Sequence, residues 1–262
     1  MSMKVCDGDA LVVREKRPTR EYFYPEIRAG GFAHVSSDVD FYTRVNALIQ
    51  PEFVVLDFGA GRGSANEISS AYVRRLLNLR GKVSKVIGCD TSPAVQQNPV
   101  LDEAVVINPT GSLPFADEAF DMIISDWTLE HITNVSLATT ELKRILKPGG
   151  WICARTPNRW GYIALSARII PERFHNIILR WVQPDRQQID IFPTHYLLNT
   201  RSILSKCFSR EDFDNHTYVV NGEPAYCGSS MILWWLAVSS FRLVPDNVKA
   251  ILHVFLQKRK SI

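Results

Sequence analysis

The run Phe53-Val54-Val55-Leu56-Asp57-Phe58-Gly59-Ala60-Gly61-Arg62-Gly63 limits the fold more than any other part of the chain. Phe53 to Leu56 is short, apolar and carries adjacent valines, as a strand covered on both faces does. Asp57 stands where that strand runs out, and three glycines then alternate with Ala60 and Arg62. Glycine reaches positive φ and has no Cβ, so a ligand can approach the backbone closely. Ser64 to Leu79 has helical character, and the expected order is strand, glycine turn, helix. The first N–H groups of such a helix lack intrahelical partners and carry a partial positive charge, which attracts an anionic group.

Two ligand classes use such a turn. Dinucleotide sites want G-x-G-x-x-G with an acidic residue about 20 positions later. Here the spacing is G-x-G-x-G. The next strand-end acid is Asp90, in Val86-Ile87-Gly88-Cys89-Asp90, 33 residues beyond Asp57 (90 − 57). D-x-G-x-G-x-G followed by a strand ending in Asp resembles the class I S-adenosylmethionine-dependent methyltransferases. A turn that keeps its glycines for packing is the plain alternative for this motif alone.

Further motifs extend the likeness over residues 53–158. Ser112-Leu113-Pro114-Phe115, then Phe120-Asp121 and the apolar Met122-Ile123-Ile124-Ser125, resembles the L-P-F, F-D and strand signature of the type 11 branch. Asp126-Trp127-Thr128-Leu129-Glu130-His131-Ile132 resembles its segment after that strand. Glu141-Leu142-Lys143-Arg144-Ile145-Leu146-Lys147-Pro148-Gly149-Gly150 resembles its helix and turn, and Thr156-Pro157-Asn158 continues the match.

The resemblance implies an α/β, Rossmann-like fold: a mainly parallel seven-stranded sheet with helices on both faces and an inserted helical cap. Strands are expected at 53–57, 83–89, 103–107, 120–125, 150–156, 214–220 and 249–256, with a helix over Thr139 to Leu146. Four regions follow. Residues 1–50 form a helical leader, 51–158 the cofactor-binding core, 159–200 the inserted cap, and 201–262 the end of the sheet with an apolar insertion. Asp38 to Val45 reads as a helix capped by Ser36 or Ser37, and it either closes over the ligand or packs on the sheet edge.

The implied cofactor is S-adenosyl-L-methionine, with Asp57, Gly59, Ala60, Gly61, Gly63, Asp90, Thr91, Asn108 and Ser125 as its contacts. One carboxylate can accept from two ribose hydroxyls, the role given to Asp90. A capping role at Asp90-Thr91-Ser92-Pro93 fits that residue too. Asp57 would face the cofactor's ammonium group. Family members often carry an acid after the third strand for the adenine amino group. Here Asn108 or a nearby backbone carbonyl takes that place. His131 is the first candidate for a general base, ahead of Glu130, Asp126 and His195. Bracing of the strand end is the alternative for His131.

Composition sets the outer limits. The 262 residues suit one α/β domain with an insertion or two small domains, and a net charge of +3 gives no argument for nucleic acid. Five scattered cysteines without a C-x-x-C pair point to a reduced, cytoplasmic setting and give zinc no support. Met1 to Ala10 has no apolar core of the kind a secretory leader needs. The apolar stretch Met231 to Val238 is shorter than the ~18 residues of a spanning helix.

The expected reaction is methyl transfer by SN2 displacement to a small-molecule or lipid- or sugar-linked acceptor, at oxygen. Trp160, Tyr162, Arg168, Arg173, His175, Arg180, Trp181, Arg186, His195 and Tyr196 suit an anionic, partly apolar acceptor. They equally suit an amphipathic helix pair facing water. Trp234-Trp235, within 231–244, covers the acceptor pocket or touches a membrane surface or a partner. The rival readings are a nicotinamide-dependent oxidoreductase, a non-catalytic module that binds the cofactor, and a methyltransferase acting on protein or RNA.

Overall fold

The structure is a computed structural model that describes residues 19–63, 68–162, 164–165, 193–224, 227–228, 230–241 and 243–260. Its strands are β1 (Val54–Phe58), β2 (Lys85–Asp90), β3 (Glu103–Val106), β4 (Phe120–Asp126), β5 (Leu146–Pro157), β6 (Phe213–Asn215), β7 (Tyr218–Val220) and β8 (Ile251–Lys258). The helices are α1 (Thr19–Phe23), α2 (Ser37–Leu48), α3 (Ala71–Leu77), α4 (Val135–Ile145), α5 (Arg201–Cys207) and α6 (Met231–Phe241).

The sheet order is β3-β2-β1-β4-β5-β8-β6, with β7 also on β8. Strands β1 to β5 are parallel, and β8 is antiparallel to its neighbours. β6 and β7 pair with successive stretches of β8. Between them the His216 N–H still donates to Phe255 O at 2.8 Å. Eight segments therefore fill seven positions, and the single strand expected over 214–220 is one edge strand with a break.

The sheet is mainly parallel and carries helices on both faces, as expected. Leu56 and Phe58 point to one core with Leu142 and Ile145 of α4 and Leu204 of α5. Val55, Val86, Met122 and Ile124 point to the other, with Phe41 and Val45 of α2 and Leu76 of α3. Each fully buried side chain of this kind contributes about 1.5–3 kcal/mol of transfer free energy. The chain runs from β1 to β2 and β3 on one side, then returns to β4 and β5 on the other. A crevice opens at the carboxyl ends where the order reverses.

Four motif residues of the second half of the core, Asp121, Glu141, Arg144 and Lys147, are scaffolding. Arg144 donates to Leu113 O, Phe115 O and Asp117, and pairs with Glu141 at 2.7 Å. Glu141 also accepts from Leu113 N, so it fastens the L-P-F loop to α4. Asp121 accepts from Val54 N and from the Lys147 ammonium, joining the starts of β1, β4 and β5.

Several element boundaries differ from expectation. Of the helical stretch expected over 64–79, residues 64–67 lie outside the described residues, 68–70 are not helical, and α3 begins at Ala71. Its N-cap is Ser70, whose hydroxyl also donates to Gly30 O at 2.6 Å. Ser36 precedes α2 but makes no capping bond. Its hydroxyl accepts from Ala33 N and donates to Glu223 instead. α4 starts four residues early, capped by Asn134.

Residues 163 and 166–192 lie outside the described residues, and with them Arg168, Arg173, His175, Arg180, Trp181 and Arg186 of the expected cap. The chain after 192 returns to the sheet. His195 N and Tyr196 N donate to Glu130 O, and Leu198 and Asn199 are buried. Trp234 packs inward, stacked on Phe23 at 5.7 Å between ring centroids. Trp235 points outward, 61% exposed.

Candidate active site

A cleft of about 1390 Å³ lies over the carboxyl ends of β1, β2 and β4. The turn Gly59–Gly63 forms its floor. Gly59 N and Ala60 N donate to Cys89 O at the end of β2, at 2.8 and 3.1 Å. The three glycines have φ of +81°, +52° and +80°, values that L side chains rarely adopt. A Cβ at Gly59 would overlap Thr128, and one at Gly63 would overlap Asn98. At Gly61 a Cβ would meet nothing within 4 Å. The outer glycines are thus packing glycines, and the middle one leaves the backbone open on the cleft side. The packing reading of the motif applies to Gly59 and Gly63 and not to Gly61.

Asp90 reaches back to this turn. Its Oδ2 accepts from Gly61 N at 3.0 Å and its Oδ1 from Ser92 N at 2.8 Å. Each oxygen keeps a further lone pair. Asn98, which no motif had singled out, donates to Ala60 O and Gly61 O and fixes the turn from above. Asp57 lines the cleft at the tip of β1. Burial pushes its carboxyl up to about 7, with Asp126 and Asp90 adding to the effect. A cation placed beside it would restore the ordinary range.

Thr91 and Asn108 also line the cleft. Asn108 Oδ1 accepts from Thr110 N and Thr110 Oγ1. Ser125 is a correction. It is 1% exposed inside β4 and does not line the cleft; Asp126, one residue on, does. Neighbouring strand residues face opposite sides, so one position decides the matter.

The β4–β5 side of the cleft is built over longer range. Asp126 and Arg155 face each other across the two strands and form a bidentate pair at 2.7 and 2.8 Å. Tyr42 OH donates to Asp126 at 3.3 Å, and Arg155 donates to Ser37 at 3.2 Å, so α2 forms a wall of the cleft. Trp127 has φ +53°, and the Arg155 guanidinium lies 5.5 Å from its ring centroid. Glu223 pairs with Arg20 and accepts from Ser36. His131 also lines the cleft. Its Nδ1 sits 2.7 Å from Pro193 O, so Nδ1 carries the proton of the neutral ring and Nε2 is the basic nitrogen.

Among the described lining residues Glu141, Glu223 and Asp126 are paired with Arg144, Arg20 and Arg155, while Asp38, Asp57, Asp90 and Glu130 have no ion pair among the described residues. That donor set fits a positively charged ligand bearing hydroxyls and opposes a pyrophosphate. S-Adenosylmethionine, a sulfonium with an ammonium and a ribose diol, fits it.

The sheet order and the site define a class I methyltransferase fold. The family described as "Methyltransferase domain", type 11, matches residues 56–154. The chain is 29% identical over 111 residues to a ubiquinone/menaquinone biosynthesis C-methyltransferase of Hydrogenovibrio crunogenus, covering 39% of this chain and 41% of that one. It is 29% identical over 136 residues to a ubiquinone biosynthesis O-methyltransferase of Agrobacterium fabrum, covering 52% of each. It thus spans about half the length of these curated relatives. An S-adenosylmethionine-dependent methyltransferase of Methanosarcina mazei shares the fold, with a TM-score of 0.52 and 18% identity over 83% of this chain and 98% of that one.

Proposed function

We propose that the protein transfers a methyl group from S-adenosylmethionine to a small-molecule acceptor. The observation that carries this reading is the meeting of the open Gly61 backbone with Asp57 and Asp90 on one cleft. In it Asp90 holds the ribose hydroxyls, Asp57 faces the ammonium group, and Gly59–Gly63 with Thr91 shape the floor. When bound, the cofactor supplies a methyl carbon already activated by its sulfonium. The chain's own task is to hold the nucleophile in line and keep water out; alignment can supply much of the rate.

The acceptor side is the β4–β5 half of the cleft. The curated relatives named above act at carbon and at oxygen, and oxygen is our reading for this chain. A lipid- or sugar-linked acceptor draws support from α6, whose Met231, Ile232, Leu233, Trp235 and Leu236 are exposed. An exposed apolar patch of this kind suits contact with a membrane surface. No helix among the described residues is long and apolar enough to cross a membrane.

Titration calorimetry with S-adenosylhomocysteine and with NAD tests the cofactor. Binding of the first and not the second is expected, and the reverse overturns the reading. Incubation with methyl-labelled cofactor and fractionated source-cell extract then tests turnover. Binding without label in any fraction would identify a non-catalytic module.

A further inference from the structure

Glu130 lines the cleft yet is only 4% exposed, and it stands at the acceptor side, beyond the tip of β4. Its Oε2 accepts from Thr156 Oγ1 at 2.8 Å. Thr156 has one hydroxyl proton, and this bond uses it. The Thr156 oxygen in turn accepts from Asn199 Nδ2 at 2.6 Å, and the second Asn199 N–H is held by Pro157 O at 2.9 Å. Donors therefore run in one direction, Asn199 to Thr156 to Glu130, and end on the carboxylate. Such a chain orients a carboxylate as an acceptor and fixes its rotamer. The same residue's backbone carbonyl takes His195 N and Tyr196 N, so the segment after 192 is docked on it.

We propose that Glu130 accepts the proton released by the methyl acceptor, with Thr156 and Asn199 as its positioning residues; this rests on the methyltransferase reading above. The acceptor's hydroxyl oxygen gives an electron pair to the methyl carbon. The carbon–sulfur pair stays on sulfur, and the hydroxyl proton moves to Glu130, from which it leaves to solvent. Burial raises the Glu130 carboxyl to about 7, opposed by its own backbone N–H and by Thr156. A base at that value works near neutral pH. The charged and titratable groups that face it are Asp126 from β4, Arg155 from β5, His131 from its own turn and His195 from the segment after 192. Asp126 raises the carboxyl and Arg155 lowers it. His131, whose Nδ1 is held by Pro193 O, presents Nε2 and is the rival base that the Glu130 variant tests against.

The test uses the full chain, methyl-labelled cofactor and the source-cell fraction that gains most label. Glu130→Gln should lower kcat about 100-fold with KM and S-adenosylhomocysteine affinity unchanged. Thr156→Val removes a donor to the carboxylate, so the acid limb of the pH–rate profile should move up by about one unit. A merely structural role would lower activity in both variants without moving that limb, and would overturn the proposal, as would full activity in Glu130→Gln. A second readout needs no acceptor. In protein carrying 13C-carboxyl glutamate and bound S-adenosylhomocysteine, the resonance lost in Glu130→Gln should titrate near 7 and shift upward in Thr156→Val. Titration in the ordinary carboxylate range would refute the proposal even if no fraction gained label, the result that would sink the methyltransferase reading itself.

Discussion

The two halves of the cleft are made differently. On the β1–β2 side the partners are near in sequence: Gly61 with Asp90 at 29 residues, Asn98 with Ala60 at 38. On the β4–β5 side the Asp126–Arg155 pair is as near, at 29, but the bonds that bring α2 and the 222–223 loop to the cleft are long: Tyr42 with Asp126 at 84, Ser37 with Arg155 at 118, Ser36 with Glu223 at 187. The first half is a local device of one β–turn–β segment. The second exists only when the leader helix, two strand tips and the 222–223 loop have all been brought together. Damage to the first should therefore read mainly as lost affinity, and damage to the second mainly as lost stability.

The largest effect should come from Asp126→Ala. It leaves the buried Arg155 charge unpaired, at a cost of about 3–5 kcal/mol. For a chain of this size Tm should fall on the order of 10 °C by calorimetry. A loss under ~1 kcal/mol would show that the pair does not hold α2 in place, and the contrast between the halves would break. Asp90→Ala should reverse the pattern. Affinity for S-adenosylhomocysteine should fall about 100-fold, near 2.7 kcal/mol, with a smaller change in unfolding free energy. Unchanged affinity would remove Asp90 from the site.

Gly61→Ala sharpens the contrast further. The new methyl meets no protein atom, so the stability cost is the backbone strain alone, about 1–2 kcal/mol. Binding should nevertheless weaken more than tenfold, because that methyl occupies ligand space. Equal affinity for wild type and variant would show that no ligand touches the turn there.

Asp57 supplies a pH test with a definite sign. Its carboxyl sits at about 7 in the folded protein against an ordinary value near 3.9. Folding therefore favours its protonated form, and stability of the ligand-free protein declines as pH rises between those two values. A cationic ligand favours the ionised form. Affinity should thus increase about tenfold from pH 6 to 8, with proton release seen as buffer-dependent binding enthalpy. Asp57→Asn should abolish that release; persistence would mean another group titrates. Ile232→Ser with Trp235→Ser on α6 should move stability by no more than about 0.5 kcal/mol. The same pair should abolish sedimentation with anionic lipid vesicles, and retained sedimentation would discard the lipid contact.

Much of the first half was legible in the chain. Phe53 to Gly63 carries strand, turn and opening in one contiguous run, and Asp90 ends the next apolar run. The Ala71 start of α3 is not visible in the sequence, because the serines before it are alike by type. What selects Ser70 is Gly30 O, forty residues away. The Ser125–Asp126 choice was hidden because Met122-Ile123-Ile124 is apolar without alternation, being buried on both faces, so no register shows. Arg155 did leave a trace, a single charge inside the apolar Trp151-Ile152-Cys153-Ala154 strand. Its meaning needs the β4–β5 register that sets it opposite Asp126. Glu130 stood among the weaker base candidates, and only burial and the Thr156 bond bring it forward.

The glycine turn has a consequence for descent. Gly59 and Gly63 are required by neighbours inside the protein, Thr128 and Asn98, while at Gly61 the chain itself asks only for the positive φ. A lineage that gave up its ligand would be under strong pressure to keep the outer two and under less to keep the middle one. Drift at that single site, with its flanking glycines intact, would mark the point in a family tree at which the cleft stopped being used.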